Sequence, residues 1–269
     1  MERVKQVYTH VPRVAGKVVV VTGAARGQGR AEALALAREG ATVVATDVQE
    51  MTGEAGLAPA QDGTSEATYR RLDVSQPEDW RELGEWLRER HGRVDGLVNN
   101  AGIPFRARIP DVTLEDWNRV LSVNLTGALL GIQTLLPLMG AGSSIVNVGS
   151  VAALSGHYPV AYTVSKWGIR GLTRVASLEL GPRGIRVNSI HPGYIETAMT
   201  ASAPPTFRAA NIVETPLGRT GTVDDVAPLV VFLISDESSY ISGAEIPVDG
   251  GMTAHASAKS LSDAVRPLT

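Results

Sequence analysis

The chain of 269 residues contains no cysteine. This absence excludes a disulfide framework and a thiolate metal site, and it is compatible with a reducing compartment. The chain has 25 basic and 28 acidic residues, for a net charge of −3, and it contains no run of like charge. Such a balance argues against a nucleic-acid-binding surface and against a polybasic membrane anchor. We therefore expect no nucleic-acid partner and no bound metal.

Export and membrane signals are also missing. Residues 1–13 show no apolar core with a small-residue cleavage site, so we do not expect a signal peptide there. The most apolar long segment, residues 125–139, is too short to span a bilayer and contains Gln133 and Pro137. With 43% hydrophobic residues the chain can still fill a core. We expect a cytoplasmic protein without a membrane contact.

Short apolar runs alternate with helical segments along the chain, which favours a parallel sheet with helices on both faces. No repeat or linker divides the sequence, so we predict a single α/β domain. Strands are predicted at residues 17–22, 42–46, 69–72, 96–98, 145–148, 185–190 and 245–248. The other segments outside the main helices are an N-terminal arm (1–15), a weak or irregular helix (50–67), a mobile flap (about 194–221) and a polar C-terminal tail (253–269).

A glycine-rich turn joins the first strand to the first helix. Its sequence, TGAARGQG, occupies residues 22–29 and leads directly into a helix rich in Ala and Leu. N–H groups at a helix N-terminus point towards a phosphate, and glycine lets the backbone approach it closely. The next strand ends at Asp47, where a carboxylate accepts hydrogen bonds from an adenosine ribose. This unit predicts a dinucleotide site, with a plain tight turn as the alternative.

Tyr162 and Lys166 lie four residues apart in a predicted helix, so they project from the same face. A neighbouring cation favours the phenolate and lowers the tyrosine pKa from about 10 towards the range useful for acid–base catalysis. Ser150 ends the preceding strand, where its hydroxyl can meet the phenol over a shared substrate oxygen. The alternative interpretation is an ordinary solvated pair on a helix.

Three asparagines interrupt apolar segments. Asn99 and Asn100 end the fourth strand, where adjacent amides suggest a polar lock on neighbouring backbone groups. Asn124 lies in an otherwise apolar helical surface. It is either a buried amide satisfied by backbone groups or a group that orders a water near Lys166, and the sequence leaves both interpretations open.

Together these features resemble the short-chain dehydrogenase/reductase family over residues 16–251. The matching positions are the TGAARGQG turn, Asp73, residues 99–102 (NNAG), Asn124, Ser150, Tyr162, Lys166, Pro192, Gly193 and Thr197. The segments LDVSQPEDW, VDGLVNNAG, SKWGIRGL and SSYISGAEIPVDGG resemble its bacterial NAD-dependent hydroxysteroid dehydrogenases. The resemblance implies a doubly wound Rossmann-type sheet of seven parallel strands in the order 3-2-1-4-5-6-7, usually in a homotetramer.

The resemblance also implies a reversible hydride transfer between a nicotinamide and a secondary alcohol carbon. In it, Tyr162 is the acid/base and Ser150 polarises the substrate oxygen. Lys166 binds the nicotinamide ribose and lowers the Tyr162 pKa, while Asn124 supports a water that relays protons to Lys166. The implied cofactor-binding residues are Gly23, Arg26, Gly27, Gln28, Gly29, Asp47, Val48, Asp73, Val74, Asn100, Ala101, Gly102, Tyr162, Lys166, Pro192, Gly193, Ile195 and Thr197.

Asp47 favours NAD over NADP, because its carboxylate accepts from both ribose hydroxyls and repels a 2′-phosphate. Arg26 is the opposing signal, since a basic residue there often accompanies NADP use in the family. No cation follows Asp47, whose next neighbours are Val48, Gln49 and Glu50. We therefore predict a preference for NAD(H).

The predicted substrate pocket is mostly apolar, which favours a bulky hydrophobic alcohol or ketone of steroid, terpenoid or polyketide type. Its residues are Ile103, Ala152, Leu154, His157, Tyr194, Met199 and Phe207. His157 is interpreted first as an exposed loop residue and second as a group that orients the substrate. Arg106 and Arg108 either meet an anionic group or face solvent.

Two other functions share these motifs. An NADPH-dependent 3-oxoacyl-carrier-protein reductase would need a basic patch near the pocket mouth for its acidic carrier, and no clear patch is present. A non-catalytic dinucleotide-binding regulator should have lost Ser150, Tyr162 or Lys166, and all three are present.

Overall fold

Seven parallel strands form one sheet in the order β3-β2-β1-β4-β5-β6-β7. The computed structural model describes residues 11–50, 67–256 and 258–265. The strands are β1 (Val18–Thr22), β2 (Thr42–Asp47), β3 (Ala67–Arg71), β4 (Gly96–Asn99), β5 (Ser144–Val148), β6 (Arg186–Pro192) and β7 (Glu245–Val248). The order and direction of the strands confirm the predicted doubly wound sheet.

Helices connect the strands and cover both faces of the sheet. They are α1 (Gly27–Arg38), α2 (Pro77–Arg90), α3 (Leu114–Leu121), α4 (Gly127–Leu135), α5 (Val160–Leu180), α6 (Ala198–Ala201), α7 (Pro205–Glu214), α8 (Val223–Ile234) and α9 (Ala258–Ala264). A π-helical turn at Ser122–Thr126 joins α3 to α4. Short 3₁₀ turns lie at Leu136–Leu138, Val151–Ala153, Gly181–Arg183 and Asp236–Ser238.

The central strands are apolar on both sides because each of their faces is covered by helices. All five residues of β1 are buried. Val19 and Val21 belong to a core cluster with α1 and α8, whereas Val20 belongs to a second cluster with α2, α4 and α5. Strand β1 pairs with β2 on one side and with β4 on the other. This reversal of strand order opens a crevice at the carboxyl ends of the strands.

The apolar segment at residues 125–139 belongs to a longer helical stretch, Leu114–Leu138, which is long and apolar enough to cross a membrane by length and composition alone. The argument that this segment is too short for a bilayer is therefore wrong for the helix as a whole. Its packing gives a different interpretation, because it contacts α2, α5 and β4 and buries Ile132 and Leu135 in the core beside the sheet. We interpret it as a core helix of the α/β fold.

Two segments predicted as irregular contain helices. Within residues 194–221, Thr197 forms a capping box with Thr200 at the start of α6, and Pro205 opens α7. Proline does not exclude a helix in this segment, because it is suited to the first turn. The C-terminal tail contains α9. The irregular helix predicted over residues 50–67 lies almost entirely outside the described residues, and β3 begins at Ala67, two residues before its predicted start.

Candidate active site

The strand ends, the glycine turn and the flap enclose one crevice with a volume of about 780 Å³. Small-molecule sites usually measure roughly 300–1,000 Å³. Every residue expected to bind the cofactor lines this crevice: Gly23, Arg26, Gly27, Gln28, Gly29, Asp47, Val48, Asp73, Val74, Asn100, Ala101, Gly102, Tyr162, Lys166, Pro192, Gly193, Ile195 and Thr197. The structure thus brings the set together, while the role of each residue stays a prediction.

The glycine turn is shaped so that a side chain cannot enter it. Gly23 and Gly27 have positive φ angles of 67° and 57°. A Cβ at Gly29 would lie 2.3 Å from Nδ2 of Asn100 and 2.4 Å from the carbonyl oxygen of Gly23. Arg26, at the N-cap of α1, provides no side-chain acceptor for the first-turn N–H groups. These donors suit a phosphate group, so the turn fits the pyrophosphate of a dinucleotide.

Asp47 is tied to the glycine turn by its own hydrogen bonds. One carboxylate oxygen accepts from the backbone nitrogen of Ala25 at 3.1 Å, and the other accepts from that of Gln49 at 3.1 Å. The Tyr69 hydroxyl donates to the carbonyl oxygen of Gln49. The carboxylate that is predicted to meet the adenosine ribose is therefore held in a fixed place at the end of β2.

The two asparagines at the end of β4 differ in their partners. Asn100 Nδ2 donates to the carbonyl oxygens of Thr22 at 2.9 Å and Gly23 at 3.2 Å, which is the predicted lock on the backbone. Asn99 instead donates to the side-chain oxygen of Asn147 at 2.8 Å, between two buried strands. The Thr22 hydroxyl accepts from the backbone nitrogens of Asn100 and Ala101, so β1 and β4 hold each other at the crevice.

Ser150, Tyr162 and Lys166 meet at the crevice as the sequence predicts. Ser150 follows β5, and its side chain lies close enough to the Tyr162 phenol to lower the pKa of that group. Lys166 is only 4% exposed. Its Nζ donates to the carbonyl oxygen of Val148 at 2.8 Å and lies 5.8 Å from the centroid of the Tyr162 ring. The three side chains can therefore share one substrate oxygen and one proton.

The direction of the Tyr162 pKa shift differs from the prediction. Burial raises the pKa of the phenol, and the neighbouring Ser150 side chain opposes that rise. Burial also lowers the pKa of the Lys166 ammonium to about 8. The expected lowering of the tyrosine pKa by the lysine is therefore wrong for this structure, because removal of the phenolate from water is the larger effect.

Asn124 lies in the π-helical turn between α3 and α4, and its side chain is fully used. Its Oδ1 accepts from the backbone nitrogen of Ile103 at 2.8 Å, and its Nδ2 donates to the Ile103 carbonyl and the Ser165 hydroxyl, each at 3.1 Å. This geometry agrees with the interpretation of a buried amide satisfied largely by backbone groups. A part in a water relay to Lys166 stays a prediction. Single π-helical turns are frequent at functional sites.

The predicted substrate residues divide into two groups. Ile103 and Met199 line the crevice. The other five lie outside the lining of this crevice, and their contact with a substrate stays a prediction: they are Ala152, Leu154, His157, Tyr194 and Phe207. Ala152 is buried, and three of the others pack against each other instead, with ring centroids 6.0 Å apart for His157 and Phe207 and 5.9 Å apart for Tyr194 and Phe207.

His157 is half-buried in this aromatic group rather than exposed, so the first interpretation of this residue is wrong. Its ring also contacts Tyr158 at 4.9 Å between centroids. Burial lowers the pKa of the imidazole. Contacts between the β5–α5 loop and the flap therefore set the surroundings of His157, and neither segment shows this contact in its own sequence.

Several crevice residues were not identified from the sequence: Pro104, Arg119, Ser122, Val123, Thr200 and Ser202. Ser122 and Val123 directly precede Asn124, so their position beside it was the available signal. Arg106 binds the flap, with donation to the carbonyl oxygen of Met199 at 3.3 Å and to the Ser202 hydroxyl at 3.2 Å. Arg108 lies over the Tyr158 ring, 4.8 Å from its centroid.

Known proteins resemble this chain over most of its length. Residues 23–253 match a protein-family model described as Enoyl-(Acyl carrier protein) reductase. A trans-4-hydroxycyclohexanecarboxylate dehydrogenase of Sinomonas cyclohexanicum is 42% identical over 251 residues, which cover 90% of this chain and 95% of that protein. A 3-alpha-(or 20-beta)-hydroxysteroid dehydrogenase of Mycobacterium tuberculosis is 45% identical over 245 residues, which cover 90% and 91%.

A 3-oxoacyl-[acyl-carrier-protein] reductase of Thermotoga maritima is 40% identical over 243 residues, which cover 89% of this chain and 99% of that protein. Among solved structures, levodione reductase matches with a TM-score of 0.83 and 34% identity, covering 90% of this chain and 99% of its own. These matches confirm the resemblance found in the sequence. The chain belongs to the short-chain dehydrogenase/reductase family and is an oxidoreductase that acts on CH–OH groups.

Proposed function

We propose that the chain is an NAD(H)-dependent dehydrogenase that interconverts a bulky hydrophobic secondary alcohol and its ketone. The observation that carries this proposal is that Ser150, Tyr162 and the buried Lys166 line the same crevice as the glycine turn. A bound nicotinamide would accept or donate the hydride. The glycine turn, Asp47 and Asn100 would hold the rest of that dinucleotide.

The side chains divide the work on the substrate oxygen. The Tyr162 oxygen takes the hydroxyl proton in oxidation and returns it in reduction. The Ser150 hydroxyl donates to the substrate oxygen and fixes the distance of that oxygen from Tyr162. Lys166, held by the Val148 carbonyl, places a positive charge beside the phenol and offsets part of the cost that burial adds to the phenolate.

The preference for NAD(H) rests on the surroundings of Asp47. Its carboxylate is fixed by the backbone of the glycine turn, and the next residue, Val48, lines the crevice without a charge. Arg26 lines the same crevice. The choice between NAD and NADP therefore depends on whether the ribose meets the Asp47 carboxylate or the Arg26 guanidinium.

A double variant tests this preference directly. We expect Asp47→Ala/Val48→Arg to shift the ratio of kcat/KM values towards NADP(H), since it replaces a repelling charge with an attracting one. Val48→Ala is the matched single change and should leave the ratio near that of the wild type. A double variant with an unchanged ratio would mean that Asp47 does not meet the ribose.

The substrate class rests on Ile103, Pro104 and Met199, which give the crevice an apolar wall. Apolar walls favour a hydrophobic carbon skeleton. The curated relatives named as dehydrogenases of a hydroxysteroid and of a hydroxycyclohexanecarboxylate support a cyclic secondary alcohol.

Two alternatives are weaker. The match to a 3-oxoacyl-[acyl-carrier-protein] reductase favours an NADPH-dependent reductase as the second candidate, and Asp47 argues against it. A non-catalytic dinucleotide-binding regulator is the third, and it is disfavoured because Ser150, Tyr162 and Lys166 are all present and adjacent.

A homotetramer is part of the proposal, together with a cytoplasmic location. Helix α5 exposes Val164, Trp167, Val175 and Leu178, which form an apolar face at helical spacing. An apolar face of this kind supports association with another copy of the chain. Sedimentation of the purified chain would test this, and a monomer at all concentrations would exclude it.

The decisive experiment is an NAD⁺-coupled screen of secondary alcohols, from cyclohexanol to terpenoids and steroids, with NADP⁺ in parallel. We expect NADH formation to be fastest with bulky cyclic alcohols. Turnover confined to 3-oxoacyl thioesters with NADPH would establish the second candidate instead. Tight NADH binding without turnover of any substrate would favour the regulator.

A further inference from the structure

The imidazole of His191 contacts both backbone polar groups of Ser150. His191 lies near the end of β6 and is fully buried. Its Nδ1 is 3.4 Å from the backbone nitrogen of Ser150 and 3.2 Å from its carbonyl oxygen. A Cβ at Gly149 would lie only 2.4 Å from this Nδ1. The close approach of the ring to Ser150 therefore depends on a glycine at the preceding position.

The surrounding hydrogen bonds select one tautomer of the ring. The Ser150 carbonyl already accepts from the backbone nitrogen of Ala153 at 2.9 Å, whereas the Ser150 N–H finds its acceptor, among the described residues, in Nδ1 of His191. On the other side, Nε2 lies 3.0 Å from the Ser189 hydroxyl, which lies 3.4 Å from the carbonyl oxygen of Ala244.

A proton on Nε2 satisfies every group in this chain of contacts. The Ser150 N–H then donates to Nδ1, Nε2–H donates to the Ser189 oxygen, and the Ser189 hydroxyl donates to the Ala244 carbonyl. The opposite tautomer leaves the buried Ser150 N–H without an acceptor, which costs free energy. The chain of contacts joins the end of β5 through β6 to the residue that precedes β7.

We propose that His191 is a positioning residue that fixes Ser150 against Tyr162 by accepting the hydrogen bond of the Ser150 backbone N–H. The inference rests on the proposed function only in the roles given to Ser150 and Tyr162. The Ser150 side chain has one rotatable bond to its oxygen, so the backbone decides where the hydroxyl points. That hydroxyl already accepts from the backbone nitrogen of Ala152 at 3.2 Å, which leaves little freedom once the backbone is held.

The ring performs this role only when it is neutral, because an imidazolium would present a second N–H to the Ser150 N–H. Burial lowers the pKa of His191, which keeps the ring neutral. The Ser150 carbonyl opposes this shift and raises the pKa, as does Glu245 of β7, whereas Arg170 and Lys166 of α5 lower it further.

The test compares His191→Ala with His191→Asn. The asparagine amide can still accept from the Ser150 N–H, and the alanine cannot. We expect His191→Ala to lower kcat by about 10- to 100-fold, with NADH affinity unchanged. The apparent pKa in the pH profile of kcat/KM should rise, because the Ser150 side chain lowers the Tyr162 pKa when it is held beside the phenol. His191→Asn should restore most of the rate and the wild-type profile.

Two further variants separate positioning from general loss of packing. Ser189→Ala removes the partner of Nε2 and should change the pH profile in the same direction by a smaller amount, even if His191→Ala does not fold. Ser144→Ala removes a buried hydrogen bond to the Leu233 carbonyl at the opposite end of β5. It should lower the melting temperature without a change of the pH profile.

A readout independent of turnover is the nitrogen NMR spectrum of histidine-labelled protein. The resonances missing from His191→Asn identify His191, and we expect the neutral Nε2–H tautomer throughout the neutral pH range. A protonated ring, an Nδ1–H tautomer, or equal losses in the alanine and asparagine variants with an unmoved pH profile would overturn the proposal. If the wild type turned over no alcohol, the proposed function would fail, while the NMR experiment would still test the contact with Ser150.

Discussion

The two halves of the crevice are held by different kinds of contact. In the cofactor half, side chains at the strand ends bond to nearby backbone: Asn100 to Thr22 and Gly23, and Asp47 to Ala25. In the substrate half, the long side chain of Arg106 reaches the flap through exposed hydrogen bonds.

This difference has a physical consequence. Partly buried hydrogen bonds to backbone leave unsatisfied groups when they break, so the cofactor half is costly to deform. Exposed hydrogen bonds and ring contacts are cheap to exchange, so the substrate half can adjust. One half therefore supplies a preformed dinucleotide cradle, and the other a wall that can fit different carbon skeletons.

The largest effect is expected at Tyr162, where the two halves meet. Tyr162→Phe removes the acid–base oxygen but keeps the ring, so turnover should fall by about 10²–10⁴-fold while NADH binding persists. Fluorescence titration and steady-state rates measure the two effects. Tyr240→Phe, at a fully exposed tyrosine, is the control. Near-normal turnover of Tyr162→Phe would refute the assigned role.

The cofactor half also contains a buried carboxyl group, that of Glu32, in the helix that follows the glycine turn. This α1 residue is fully buried. Its Oε1 accepts from Nε2 of Gln28 at 2.9 Å, and its Oε2 has no hydrogen-bond partner within the described part of the chain. Burial raises the pKa of the carboxyl from 4.5 to about 8. The unfolded chain thus loses this proton at a much lower pH than the folded chain.

The free energy of unfolding should therefore fall as the pH rises from about 4.5 to about 8 and level off above that range. At about 1.4 kcal/mol per pKa unit, the fall is on the order of 5 kcal/mol. Glu32→Gln keeps the contact with Gln28 without the ionisation, so urea unfolding should lose most of this pH dependence. Glu82→Gln, on the exposed side of α2, should not. A flat curve for the wild type would contradict the prediction.

The variant Gly29→Ala tests the rigidity of the cofactor half, because it adds a methyl group where there is no space for one. The methyl group of Gly29→Ala would collide with Asn100 and with the Gly23 carbonyl. Overpacking of this kind costs about 1–3 kcal/mol, so NADH affinity should fall by roughly 10- to 100-fold. Gly181→Ala is the control, because nothing lies within 4 Å of its Cβ. Unchanged affinity in Gly29→Ala would show that the turn relaxes or binds something else.

The contrast also explains what the sequence could predict. The glycine turn, Asp47 and the Tyr162–Lys166 pair are set by spacing within one strand–helix unit, where distance along the chain fixes distance in space. Tertiary packing sets everything else. The burial that raises the Tyr162 pKa is a property of the packed fold, and the ring contact of His157 with Phe207 joins residues about 50 positions apart in the chain.

The contact of His191 with Ser150 is another tertiary contact that the sequence alone could not predict. His191 was visible only as the residue before Pro192 and Gly193, at a predicted strand end. Its contact with Ser150 spans 41 residues and follows from the pairing of β5 with β6, in which Val148 lies opposite Ile190. The family resemblance was enough to predict the strand order. To identify the side chain that contacts Ser150, the register of β5 against β6 was also required.

The smallest effect is expected in the substrate half, at Arg106. Its guanidinium holds the C-terminal end of α6 through Met199 and Ser202, and these hydrogen bonds are exposed. Because exposed contacts contribute about 1 kcal/mol or less, Arg106→Ala should raise KM for the alcohol about two- to fivefold. The kcat and the NADH affinity should stay close to the wild-type values. Arg108→Ala removes a cation that lies over Tyr158 instead, so it serves as the matched control. A larger loss of NADH affinity than of alcohol affinity in Arg106→Ala would mean that the flap belongs to the cofactor half. The division of the crevice into these two halves would then be wrong.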